Sequence, residues 1–172
     1  MIGAPVTAIP GVCFDEQTMI TRISRTEGKE QIKITDARPG DVVLRSNYIT
    51  KELRTTLVTD NQLIQEESPF IKVTFSYDDP HLQELTRSIE TTEKHVMIVK
   101  RDGKYEAKLA TKVKIGEKVL TSIGEGSIID ISTSKKMSRV QLSTQDGTII
   151  ANDVLTTSYC SGQLEYMEKF SE

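Results

Sequence analysis

Ile34-Thr35-Asp36-Ala37-Arg38-Pro39-Gly40-Asp41-Val42-Val43-Leu44 returns, close to half a chain length later, as Leu109-Ala110-Thr111-Lys112-Val113-Lys114-Ile115-Gly116-Glu117-Lys118-Val119-Leu120. Each copy runs through a basic residue, a turn glycine and an acid into a Val/Leu strand. A β-turn that feeds a strand twice predicts a duplicated subdomain whose two halves wrap one core. On either side, short runs rich in Val, Ile and Thr alternate apolar with polar residues, which is the period of half-buried strands. Such runs cover 18–23, 30–34, 41–45, 70–75, 95–100, 105–109, 118–122, 126–132, 139–142 and 148–151. Asp102-Gly103 and Asp146-Gly147 predict tight hairpins, because both dipeptides accept positive φ. Leu82, Leu85 and Ile89 follow Asp79-Pro80 at helical spacing, so a helical turn or short helix is expected within 81–89, as a surface insertion with His81 solvated. The expected fold class is all-β.

The chain has 172 residues, 37% of them hydrophobic, enough for one domain with a real core and small for two. A formal net charge of −3 supplies no basic field for a nucleic-acid backbone or an anionic membrane. No apolar run approaches the roughly 20 residues of a membrane helix, and residues 1–12 lack the basic start and apolar block of a signal peptide. The expectation is a soluble, monomeric chain from a reducing compartment, since two cysteines do not make a disulfide scaffold. Residues 1–12, with Pro5 and Pro10, read as an extended flank, 13–160 as the domain and 161–172 as a tail.

Chemistry concentrates at Cys13, in Gly11-Val12-Cys13-Phe14, and at Thr92-Glu93-Lys94-His95. A thiolate at Cys13 can attack the carbonyl carbon of Val12, moving the acyl group from nitrogen to sulfur and freeing an amine on Cys13. An amide nitrogen leaves only with a proton, and imidazole shuttles protons near neutral pH, so His95 suits the departing nitrogen of the scissile Val12-Cys13 bond. Each residue also has a plainer reading, Cys13 as an apolar filler and His95 as a satisfied core histidine. A zinc site from Cys13, His81, His95 and Cys160 lacks the close pair spacings of metal centres, so neither metal nor cofactor is expected. A Cys-His peptidase acting on other proteins fits poorly with a thiol so near the start of the fold.

Four blocks in order carry a family resemblance spanning Cys13 to Cys160: Cys13-Phe14 with Thr18 and an isoleucine strand, Arg38-Pro39-Gly40-Asp41-Val42-Val43-Leu44, Thr92-x-x-His95, and Gly147-Thr148-Ile149-Ile150-Ala151-Asn152-Asp153-Val154-Leu155-Thr156-Thr157-Ser158-Tyr159-Cys160. The chain resembles a Hint domain, the Hedgehog/intein self-processing module, closest to the Hedgehog C-terminal branch or to an intein-like branch lacking the C-terminal His-Asn. The resemblance implies a flattened all-β horseshoe with pseudo-twofold symmetry, and single-turnover autoproteolysis in cis. It places Thr92 beside His95, holding the scissile amide, and aligns Asp60 with the general base that activates an external nucleophile. The partners implied are the chain's own N-terminal flank and that nucleophile, which is water, a thiol, an amine or an alcohol. The Hedgehog branch normally has a cysteine where Ser158 stands, so a second-step or redox thiol has either moved to Cys160 or is absent. The segment that directs sterol is missing, which disfavours cholesterol. An intein ends in His-Asn before a nucleophile, whereas here the last Asn, Asn152, precedes Asp153. Splicing therefore stands as an alternative, beside an inactive Hint-fold binding module.

Overall fold

The computed structural model describes residues 13–158. They form thirteen strands: β1 Met19–Ser24, β2 Gly28–Lys33, β3 Val42–Ser46, β4 Leu53–Ile64, β5 Ser68–Tyr77, β6 Thr86–Thr92, β7 Val96–Arg101, β8 Lys104–Leu109, β9 Lys118–Thr121, β10 Gly124–Lys136, β11 Arg139–Thr144, β12 Thr148–Ala151 and β13 Val154–Thr157. Two 3-10 turns, Ile34–Asp36 and Ala110–Lys112, complete the regular structure. The all-β expectation holds, and so does the duplication. The two turns lie 76 positions apart, each between a hairpin and a glycine loop, and Gly40 and Gly116 both take φ +96°.

All thirteen strands belong to one antiparallel sheet, in the order β11-β4-β3-β1-β12-β13-β7-β9-β10-β5-β6, with β2 on β1 and β8 on β7. Its centre is the β12–β13 hairpin, turned by Asn152 and Asp153, both at positive φ. Outward from that centre, β1, β3 and β4 on one side answer β7, β9 and β10 on the other. The halves then exchange strands: β4 pairs with β11 from the second half, and β10 with β5 from the first. The ends of this path, β11 and β6, are joined through Phe14, which bridges Val140 on β11 and Thr91 on β6. A sheet that closes on itself has fewer exposed edges. It also brings residue 13 between its two ends.

The core follows the alternation. Phe14, Ile20, Val43, Val58, Phe75, Ile89, Met97, Val119, Val140 and Ile149 are buried in one cluster, and Leu44, Ile98, Tyr105, Leu120, Ile150 and Leu155 form a smaller one. Phe14 is 1% exposed, and burying such a ring contributes roughly 1.5–3 kcal/mol to the closure.

Three expectations are corrected. No helix forms over 81–89: residues 79–85 make turns, and Ile89 is an inward residue of β6, registered against Val73 of β5. Pairing with β5 overrides the weak helical spacing. The Asp146-Gly147 turn exists, with Gly147 at φ +77°, but β11 and β12 leave it for different neighbours and make no hairpin. Strands β4, β6 and β13 were outside the expected runs. The Asp102-Gly103 hairpin forms as expected, with both residues at positive φ.

Candidate active site

Residues 13–15 lie as an added strand between β6 and β11. Phe14 exchanges two backbone hydrogen bonds with Val140, both 2.9 Å, while the Asp15 amide donates to the Glu90 carbonyl at 3.1 Å. Cys13 is completely buried there. Its backbone N–H donates to Thr92 Oγ1 at 3.0 Å, and its carbonyl accepts from the Thr92 amide at 3.0 Å. The Thr92 hydroxyl in turn donates to the Cys13 carbonyl at 3.4 Å, which leaves its lone pairs for the Cys13 amide. A hydrogen bond accepted from an N–H raises electron density on the nitrogen. An amide nitrogen must take up a proton before it can leave its carbonyl carbon.

Thr92 ends β6, and a turn closed by the His95 amide donating to the Thr92 carbonyl at 3.0 Å carries the chain into β7. This turn brings two residues three apart to one place, which a continuous strand would not do. His95 is fully buried, its ring meeting the Phe14 ring edge-on with centroids 4.6 Å apart. Nε2 lies 3.1 Å from Thr156 Oγ1, whereas Nδ1 is buried with no hydrogen-bond partner. Burial pushes the His95 pKa from its ordinary value of 6.5 down to about 4, against an opposing pull from the backbone of Thr157. The imidazole is therefore neutral at physiological pH. The Thr156 hydroxyl donates to the Val96 carbonyl at 3.4 Å, which leaves it to accept from Nε2–H and assigns the lone pair to Nδ1, on a ring packed against Phe14.

Asp60 is not part of this group. It is half-buried on β4, opposite Ser143, and its carboxylate accepts from Gln62 Nε2 at 3.0 Å. Two strand spacings and three residues separate it from the level of Phe14, roughly 10 Å in each direction. Gln62 itself faces Gln141 in register, and Gln141 Oε1 is buried without a partner at the level of Cys13. Ser158 hydrogen bonds to Thr144 at the end of β13, with Oγ 3.0 Å from Thr144 Oγ1. Val12 and Cys160 lie outside the described residues, as do the flank 1–12 and the tail 161–172. Among the described residues no cluster of three or more His, Cys, Asp or Glu side chains could hold a metal ion, and no helix is long and apolar enough to cross a membrane.

Sequence reasoning missed Thr156, which orients His95, and Phe14 as the residue that seats both. Phe14 is the adjacent residue in the quoted Cys13 block, so the signal was present. Thr156 carries no such signal, being one of many threonines in strands.

No protein-family model matches the sequence, and no curated protein sequence is significantly similar to it. Solved structures are similar over most of the chain. An intein from a hyperthermophile superposes with a TM-score of 0.71 at 16% identity, covering 84% of this chain and 98% of its own. A bacterial intein-like domain from Clostridium thermocellum gives 0.66 at 22% identity, covering 86% of this chain and 99% of its own. The Pab PolII intein gives 0.67 at 19% identity, with 84% and 99% covered. The thirteen-stranded closed sheet, with its duplicated corners and exchanged strands, is the Hint fold of the inteins.

Proposed function

We propose that this chain is a self-processing domain, which shifts the Val12 acyl group onto the Cys13 thiol and releases its N-terminal flank to an external nucleophile. The observation that supports this reading is the Cys13 amide held at 3.0 Å by the Thr92 hydroxyl, inside a water-excluded slot beside a neutral His95. His95 Nδ1 takes the thiol proton as sulfur attacks the Val12 carbonyl carbon. The C–N bond breaks, and the same proton passes to the Cys13 nitrogen. No proton need come from bulk solvent, so a histidine with a depressed pKa serves both as the base and, once charged, as a strong acid. The resulting thioester is opened by the acceptor.

Intact-mass spectrometry of the whole chain over time tests this, with and without dithiothreitol or hydroxylamine and beside Cys13→Ala. The expected outcome is release of residues 1–12, accelerated by either nucleophile and abolished in Cys13→Ala. A mass that stays whole under every nucleophile overturns the reading and leaves the fold without its reaction. The kinship of fold with inteins favours splicing as a second reading. It requires ligated flanks to appear when a C-terminal flank is fused, with Ser158, Cys160 or Ser161 as acyl acceptor.

A further inference from the structure

A cavity of about 220 Å³ opens beside Thr92, between the Thr92-Glu93-Lys94 turn, the β4–β5 connection and the start of β11. One wall is Arg139, only 7% exposed. Its Nη1 donates to Ser68 Oγ at 2.6 Å and stands 3.4 Å from Glu66, whose side chain is 68% exposed, while Nε has no partner at all. A guanidinium offers five donors in a planar fork that matches a carboxylate in two-point contact. Buried with one short bond, to a neutral hydroxyl, and a long ion pair to the exposed Glu66, Arg139 is only partly neutralised, and a buried charge is costly until it is paired. Glu66, Glu67, Glu93 and Lys94 line the same space. Cation and anion binders thus face one small space.

That arrangement decides between occupants. Residues 1–12 contain neither an acidic nor a basic side chain, so these twelve residues offer no charged side chain to the walls. The volume lies below the roughly 300–1,000 Å³ of pockets for drug-sized ligands, which leaves a molecule of a few heavy atoms. Resting on the self-processing reading, we infer that this cavity receives the external acceptor, a small thiol bearing both a carboxylate and an amine. Arg139 binds the carboxylate, Glu67 and Glu93 face the ammonium, and the thiol is delivered next to the residue that holds Cys13. The incoming thiolate forms a bond to the Val12 carbonyl carbon, and the bond from that carbon to Cys13 Sγ breaks. Cys13 leaves as thiolate and recovers the proton the acceptor gave up.

Cleavage of the whole chain is measured with L-cysteine, its methyl ester and 2-mercaptoethanol at equal thiolate concentration, beside hydroxylamine, for the unaltered chain, Arg139→Lys and Arg139→Gln. L-cysteine is expected to saturate and to outpace the methyl ester at least tenfold, with Arg139→Gln bringing the two together and Arg139→Lys restoring part of the gap. Equal rates for L-cysteine and its ester in the unaltered chain overturn the inference, and that comparison needs no variant to fold. Cleavage by hydroxylamine without such discrimination removes the acceptor site and keeps the thioester. No cleavage by any nucleophile removes both.

Discussion

The corner that leads into β1 and the corner that leads into β7 are built alike and equipped differently. In the first, the Ile34 amide donates to the Thr18 carbonyl at 2.8 Å; in the second, the Ala110 amide donates to the His95 carbonyl at 2.8 Å. Gly40 donates to Val58 as Gly116 does to Ile128, and Asp41 and Glu117 each close the glycine loop by accepting the amide three residues earlier. Thr18 and His95 are both buried, and each carries a polar atom without a partner, Oγ1 in one and Nδ1 in the other. A threonine hydroxyl does not exchange protons near neutral pH, whereas an imidazole does. Both corners touch the inserted Cys13 segment, the first through the Thr18 amide donating to the Asp15 carbonyl at 3.0 Å and the second through the His95 ring against Phe14. The backbone of the repeat therefore makes two equivalent seats beside the closure of the sheet, and they differ in the side chain each one holds.

The largest test of that comparison is to strip each seat in turn. His95→Ala is expected to slow cleavage by about 10²–10⁴-fold, the range for losing a positioned proton carrier. Thr18→Ala is expected to stay within a few-fold of the unaltered chain, with both read by intact mass in hydroxylamine. If Thr18→Ala slows cleavage as much as His95→Ala, the seats do not differ in role.

A smaller effect separates the corners by pH. His95 titrates at about 4 when folded and near 6.5 when unfolded, so between those values the unfolded chain binds the extra proton. Stability from this group is complete above pH 6.5 and is lost as pH falls through 4, up to about 3 kcal/mol in all. Urea unfolding of His95→Gln should show a shallower loss over that window, while Thr18→Ala should keep the slope of the unaltered chain. Parallel slopes for all three would mean that the imidazole is not buried as a neutral group.

Much of the frame was legible because turn chemistry is local. Gly40, Gly116 and Asp102-Gly103 announce positive φ wherever they stand, and the strands they feed alternate in the ordinary sense. Strand β4 escaped notice because its pattern is inverted: Thr56 and Val58 point inward, while Leu53, Leu57 and Leu63 are exposed. Cys13, Thr92 and His95 stood out by residue type, yet their meeting depends on Phe14 joining two strands that are 49 positions apart in the chain at Thr91 and Val140. Nothing local encodes that closure. Arg139 and Gln141 were invisible for a related reason, since a polar residue in a strand reads as solvent-facing until a neighbour covers it.

The smallest expected difference lies in the acids that close the two glycine loops. Glu117 is 6% exposed, accepts the Lys114 amide at 2.7 Å and pairs with Lys108 at 2.8 Å, itself largely covered. Asp41 accepts the Arg38 amide at 2.8 Å, but it is partly open to water and its ion pair with Arg22 is long, at 3.6 Å. Removing one partner of a covered pair leaves the other charge stranded, whereas a solvated pair contributes little. Glu117→Ala is therefore expected to cost about 2–3 kcal/mol and Asp41→Ala about 1, the worth of one hydrogen bond to the backbone. Urea midpoints at unchanged m-value measure both. Equal losses would mean that the loop hydrogen bond, common to both corners, carries the energy and that the Lys108 pair adds nothing. A larger loss in Asp41→Ala would reverse the assignment of the second corner as the more tightly built of the two, and with it the reason why that corner can hold an imidazole away from water.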